Sequence, residues 1–238
     1  MNGKRENLRI VGILLMAALL VAGTGGLARA NDTMDARHLV EKARMTLDSF
    51  DRAKEMSAFR DLLKDARGVF IAPQILKGAF IVGASGGSGV FMVRDTRTGK
   101  WSQPAFYTIG SASFGLQIGG QASEVVLLAM TDRGVSALLS NSVKLGADVG
   151  VAAGPVGMGA SAATANLSAD ILSFARSRGL FAGISLDGAV VAVRDSLNHA
   201  YYGAQVTPTD ILVKRTVANR QSRRLISAIS RDAAKAKH

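Results

Sequence analysis

Between Ala105 and Thr131 the chain reads AFYTIGSASFGLQIGGQASEVVLLAMT, with Glu124 as its single charged side chain. Apolar and small residues at strand spacing leave little there that can do chemistry, whereas a catalytic centre needs convergent titratable groups. The segment is expected to be scaffold or an apolar binding surface. Lys144–Gly157, KLGADVGVAAGPVG, follows the same style. As one strand it would place Gly146, Asp148, Gly150, Ala152 and Gly154 on one face, and Leu145, Val149 and Val151 on the other. A face without bulk lets a sheet curl or lets another backbone come close. The glycine spacing also matches the seam of packed membrane helices, but Lys144, Asp148 and Pro155 inside the run argue against that.

Around this stretch the periodicity changes along the chain. Leu39, Ala43, Leu47 and Phe50, then Met56, Phe59 and Leu63, recur at three- and four-residue steps, which predicts helix over 31–67. Ser57 is expected to cap a second helix after a break near Asp51, and Gly68 to end it. Eight acids and eight bases are interleaved there, which suits a solvated outer face. Strand patterns follow at Val69–Ala72, Ala79–Ala84, Val90–Asp95, Ala105–Ile109, Ser113–Ile118 and Val125–Met130. Thr96–Gly99 reads as a turn, and Asp132 as the cap of a short helix through Leu139. Strands resume at Val143–Val156, Ile171–Ser177, Leu180–Leu186 and Ala189–Arg194, with Asp187-Gly188 as a hairpin signal. Thr207-Pro208-Thr209-Asp210 starts a helix, and Val217–Lys235 continues as one. Short strands between brief turns predict an α+β domain: a curved, largely antiparallel, barrel-like sheet with N-terminal helices and a C-terminal basic helix.

The first thirty residues belong to a different category. Lys4, Arg5 and Arg9 precede an apolar run, Ile10 to Ala22, and Ala28-Arg29-Ala30 offers a small-x-small cleavage site. The run falls short of the roughly 20 residues a spanning helix needs. Residues 1–30 are therefore expected to be a cleavable signal peptide, with export to a bacterial periplasm. There is no cysteine, so disulfides, lipid-modified cysteine and thiolate metal sites are excluded. Three histidines, His38, His199 and His238, lie too far apart in sequence to suggest a metal site; no cofactor is expected.

The net charge of +11 is unevenly placed. Residues 31–213 carry 17 Lys/Arg against 16 Asp/Glu, while residues 214–238 carry eight against one. A clustered positive segment attracts anionic surfaces. Lys214, Arg215, Arg220, Arg223, Arg224 and Arg231 are the candidate contacts to an anionic membrane. Nucleic acid is not expected, because export removes the partner and no aromatic side chain accompanies the arginines.

Gly83-Ala84-Ser85-Gly86-Gly87 satisfies G-x-S-x-G, and His199 follows in the order of a hydrolase. A nucleophile elbow must open into a helix, and Gly89-Val90-Phe91-Met92-Val93 is strand-like instead, so a hairpin turn is the expected role of Gly86, Gly87 and Gly89. A phosphate loop lacks its Gly-Lys-Ser/Thr, and His199 is expected at the surface or in a cap. Aromatic residues make up 5% of the chain, too few for the girdles of an outer-membrane barrel.

Gly78–Gly89 (GAFIVGASGGSG), Pro104–Gly120 (PAFYTIGSASFGLQIGG), Lys144–Gly157, Asp170–Gly188 (DILSFARSRGLFAGISLDG) and Tyr201-Tyr202-Gly203 together resemble the SYLF-domain family of lipid-binding proteins, whose yeast member is also described as actin-binding. The resemblance runs over about residues 35–213. It implies phospholipid or phosphoinositide binding without catalysis, on a β-rich core with flanking helices. The expected organisation is a signal peptide at 1–30, a SYLF-like lipid-binding domain at 31–213 and a basic helical tail at 214–238. Eukaryotic relatives bind lipid through a basic N-terminal segment, whereas residues 31–67 balance to zero here, so the tail is expected to supply the charge. Actin is not an expected partner of an exported bacterial protein. The alternatives are a serine hydrolase using Ser85 and a structural envelope protein.

Overall fold

Four long strands set the frame: β1 (Gly68–Ala79), β2 (Val82–Val93), β3 (Ala105–Phe114) and β4 (Gly119–Ala129). The computed structural model describes residues 31–79, 82–114, 119–157 and 168–234. The signal-peptide expectation therefore lies outside the described residues. Helix α1 covers 31–52; a 3-10 turn, Lys54–Met56, leads into α2 (Ser57–Asp65). After β4 come α3 (Asp132–Leu139), β5 (Ser142–Lys144), β6 (Val151–Ala153), β7 (Ile171–Ser177), β8 (Leu180–Gly183) and β9 (Val190–Val193). The chain ends with α4 (Asp195–Tyr202), a π-helical turn (Asp210–Lys214), a 3-10 turn (Arg220–Ser222) and α5 (Arg223–Ala234).

The sheet runs β5-β9-β3-β2-β1-β4-β7-β6, with β8 following β6 along the same edge of β7. Every pairing is antiparallel except β6 with β7. The sheet is strongly curled into a half-barrel. Both faces of its central strands are covered, which explains why VFIA in β1 and VVLLA in β4 read as continuous apolar runs rather than alternating ones. On one face Val69, Ile71, Met92, Phe106, Leu128 and Phe174 pack under Leu47, Phe50, Phe59, Leu197, Leu225 and Ile229 of the helices. On the other face Phe70, Phe91, Tyr107 and Leu127 meet Val135, Leu138, Leu145, Ile211 and Leu212.

A bulge in β1 shapes the curl. Its register with β2 shifts between Ile71 and Gln74, and with β4 between Ala72 and Ile75. Pro73 sits in that interval and has no N–H to give to a ladder; an extra residue there bends the strand and adds twist. The glycines opposite are a consequence. A Cβ on Gly87 would stand 2.1 Å from the Gln74 carbonyl oxygen, and one on Gly89 2.5 Å from the Phe70 ring. The expected hairpin turn at Gly86–Gly89 is thus replaced by strand interior, in which Gly87 and Gly89 admit the bulge of the neighbouring strand.

Other expectations also shift. Val143–Val156 is two short strands, not one. Between them Asp148 accepts from the Lys144 N–H at 2.7 Å, and Gly146 takes φ +82°. A carboxylate that satisfies a nearby backbone N–H favours a turn over a ladder. Asp187-Gly188 is a turn, but it carries the chain from β8, on β7, to β9, on β3, so it closes no hairpin. Thr131 rather than Asp132 caps α3, its hydroxyl accepting from Gly134 N–H at 3.0 Å. No side chain caps α2.

Candidate functional site

The six expected basic residues separate into two groups. Three are committed to local acids. Lys214 is 2.9 Å from Asp210, Arg215 is 3.9 Å from Asp95, and Arg231 is 3.2 Å from Asp48 and 2.9 Å from Asp232. Asp210 also closes a capping box with Thr207, accepting from its hydroxyl at 2.6 Å and its N–H at 3.1 Å. Those bonds, the Thr207 hydroxyl first and Lys214 next, hold the Asp210 carboxyl down at about 2. Arg220, Arg223 and Arg224 are exposed, and no acid forms an ion pair with them among the described residues.

Helix α5 is held to the body rather than extending from it. Leu225, Ala228, Ile229 and Ala233 are buried in the core beneath the helices. Its start is fixed by Asn219, whose side chain accepts from Gln221 N–H at 3.0 Å and donates to the Tyr201 carbonyl at 2.8 Å. This seating brings Arg220 and Arg224 against α1, where Arg37, Val40 and Glu41 complete a groove of about 290 Å³. Glu41 does not neutralise the three arginines. Arg44 donates to it at 2.6 and 3.0 Å, and this hydrogen bonding is the main reason its carboxyl lies below the usual range, with Arg224 adding a smaller pull. Arg37 was legible only as one charge among a balanced set; its role comes from the packing of α5.

A larger groove, about 630 Å³, opens where α1 crosses the sheet. Lys42, Met45 and Thr46 form its helical wall, and Arg176, Arg178 and Gly179 its strand wall. The aromatic contacts Phe50–Phe59 (5.6 Å), Phe59–Phe174 (5.2 Å) and Phe50–Phe181 (5.0 Å) lock α1, α2, β7 and β8 together and fix the two walls. Glu124 on β4 is the acid within it. It is held by Thr46, which donates at 3.2 Å, and by Arg176 at 2.5 Å. The Arg176 guanidinium also lies 5.8 Å from the Phe181 ring centroid. Arg178 and Gly179 are the two central residues of the β7–β8 turn, with φ +50° and +79°. This is a primed hairpin turn whose usual occupants are Asn, Asp or Gly. Sequence reasoning passed over Lys42, Arg176 and Arg178; an arginine ahead of the turn glycine was the available signal.

The hydrolase alternative does not assemble. Ser85 lies mid-strand, and its hydroxyl is paired with Ser111 at 2.8 Å. It borders a cavity of about 270 Å³ beside Ile75 and Ile109, on the sheet face that carries Phe70 and Tyr107. His199 is on α4, which packs on the opposite face, where Asn198 accepts from Phe106 N–H at 2.9 Å. No cluster of His, Asp or Glu suited to a metal ion occurs among the described residues, and no described helix is long and apolar enough to cross a membrane.

A family model described as "Ysc84: Las17-binding protein actin regulator" matches residues 110–232. The human SH3 domain-containing YSC84-like protein 1 is 35% identical over 153 residues, covering 63% of this chain and 44% of the relative. LAS seventeen-binding protein 3 of Saccharomyces cerevisiae is 34% identical over 159 residues, 65% of this chain and 34% of the relative. Protein YSC84 of the same yeast is 33% identical over 159 residues, covering 33% of its length. The chain spans less than half the length of these curated relatives. The family match runs from within β3 to residue 232, so Arg220 in the 3-10 turn and Arg224 on α5 both lie inside the matched region.

Proposed function

This chain belongs to the Ysc84 family, and on that premise we propose that it is a non-catalytic binder of anionic phospholipid at the membrane surface. The observation that carries the reading is the convergence of Arg37, Arg220 and Arg224 in one groove whose acid, Glu41, is bonded chiefly to Arg44. Helix α1 also exposes two methionines. On α1 the exposed Met34, His38 and Met45 recur at four- and seven-residue steps and so share a stripe, with Arg37 to one side and Lys42 to the other. A helix with basic flanks and a methionine-bearing outer ridge is suited to lie in a membrane interface. Each basic group near an anionic surface contributes about 1 kcal/mol, so three arginines supply roughly two decades of affinity. The resemblance to lipid-binding SYLF proteins supports the same ligand class.

The site of action we propose is the periplasm, reached through the signal at residues 1–30. The Las17 binding and actin regulation named for the relatives stay with those longer proteins in this reading. The test is co-sedimentation with vesicles of neutral phosphatidylcholine and of phosphatidylcholine with phosphatidylglycerol. The protein should pellet with the anionic vesicles only, and Arg37→Glu/Arg220→Glu/Arg224→Glu should abolish pelleting while retaining the circular dichroism of the parent. Absence of binding to any composition would favour a structural envelope role. Ester hydrolysis lost on Ser85→Ala would establish the enzyme reading instead.

A further inference from the structure

We propose that the groove between α1 and the β7–β8 turn seats the headgroup of one anionic phospholipid of the phosphomonoester class, with its acyl chains leaving over Met45 and Leu76. The proposal rests on the anionic-lipid reading and gives it a stoichiometric site distinct from the arginine patch. Three cations, Lys42, Arg176 and Arg178, face a space of about 630 Å³, inside the range of roughly 300–1,000 Å³ typical of ligand pockets. Glu124 is engaged by Arg176 and Thr46. Lys42 and Arg178 have no acid partner among the described residues, so the groove holds uncompensated positive charge on both walls.

A phosphomonoester carries about −1.5 to −2 charges at neutral pH and three acceptor oxygens, which matches two free cations approaching from opposite sides. A choline- or ethanolamine-bearing headgroup would bring its own cation against Lys42 and Arg178. The apolar half of the ligand is provided for as well. Met45 is 58% exposed at the groove wall and Leu76 is 57% exposed. Leu76 is the register partner of Ala122 in the groove floor, so it lies on the same sheet face. Met is the side chain best able to adapt to flexible chains. Arg178 keeps a left-handed backbone that suits Asn or Gly better, and such an outlier points to a role for the side chain.

The test uses monomeric dihexanoyl phosphatidic acid, below its micelle-forming concentration, titrated calorimetrically into the whole protein. One-to-one saturable binding is expected. Lys42→Ala/Arg178→Asn should weaken it at least tenfold, Asn being chosen because it accepts the turn. Arg97→Glu/Lys100→Glu, exposed between β2 and β3 and outside both grooves, should leave it unchanged. Dihexanoyl phosphatidylcholine and inorganic phosphate should each bind at least tenfold more weakly. Absent saturation, or an affinity indifferent to the double substitution, overturns the site. Equal affinity for inorganic phosphate overturns the lipid identity, and equal affinity for the choline lipid overturns the phosphomonoester class. Monomer binding weakened more by the double substitution than by the triple arginine variant of α1 and α5, with the reverse order for vesicle binding, separates the groove from the surface reading.

Discussion

Arg178 shows how a single residue can set stability against function. Its φ of +50° lies in the left-handed region, where an L-residue other than Asn, Asp or Gly loses about 1–2 kcal/mol. Arg178→Asn should recover up to about 1 kcal/mol of this, a rise of roughly 2–4 °C in Tm for a chain of this size, while weakening phosphatidic acid binding. Scanning calorimetry and titration on the same variant check both signs; a fall in Tm would remove the strain argument. Glycines on β2 give a second contrast. Gly87→Ala forces a Cβ to within 2.1 Å of the Gln74 carbonyl, backbone that cannot rotate away, and should destabilise by about 1–3 kcal/mol or more. Gly86→Ala has its nearest neighbour at 3.8 Å and should be neutral or slightly stabilising. Denaturant midpoints that moved alike for the two would contradict the bulge account. At this scale the sequence was only partly informative: the glycines were visible as a cluster, but the bulge that requires them involves Pro73 on a strand whose register no local pattern specifies.

Elements were more legible than their ends. The 3.6-residue period of α1 and the apolar runs of β1, β4 and β7 were readable because burial imposes them. Strand lengths were not, since β1 and β2 continue through small polar residues that local propensity assigns to turns. Helix α5 was expected from its stripe, and Leu225 and Ile229 do face the core at 0% exposure. Leu225→Ala should therefore cost about 2–5 kcal/mol, and a chain ending at Val213 should fail to fold rather than act as a binding mutant, which chemical denaturation of both would reveal. The π-helical turn makes a pH prediction. Asp210 has a folded pKa of about 2 against an ordinary 3.8, so its contribution is present above pH 4 and lost as the pH falls toward 2. The stability advantage of the parent over Asp210→Asn should be constant near pH 6 and shrink between pH 4 and pH 2. An advantage unchanged across that range would show that the Thr207–Asp210 box does not hold the turn in its charged form.

For the whole molecule, the location of charge matters more than its sum. The sequence places an excess of positive charge after residue 213, but folding redistributes it: Lys214, Arg215 and Arg231 meet Asp210, Asp95 and Asp48, and Arg37 from the balanced first helix joins Arg220 and Arg224. No inspection of segment charge finds that cluster, because it requires α5 to lie across α1. Net charge alone would make any three basic residues equivalent for membrane attachment. The geometry instead requires the loss to be local, because exposed charges are screened beyond about 8 Å at physiological ionic strength. Arg97, Lys100 and Lys144 are exposed on other loops and strands, so Arg97→Glu/Lys100→Glu/Lys144→Glu changes net charge by the same amount as the α1/α5 variant. Between 50 and about 500 mM salt, the parent and this control should show the same steep decline in anionic-vesicle binding, and the α1/α5 variant should stay near baseline throughout. Equal losses in the two triple variants would mean that the protein reads membranes by total charge, and that the meeting of α1 with α5 has no part in recognition.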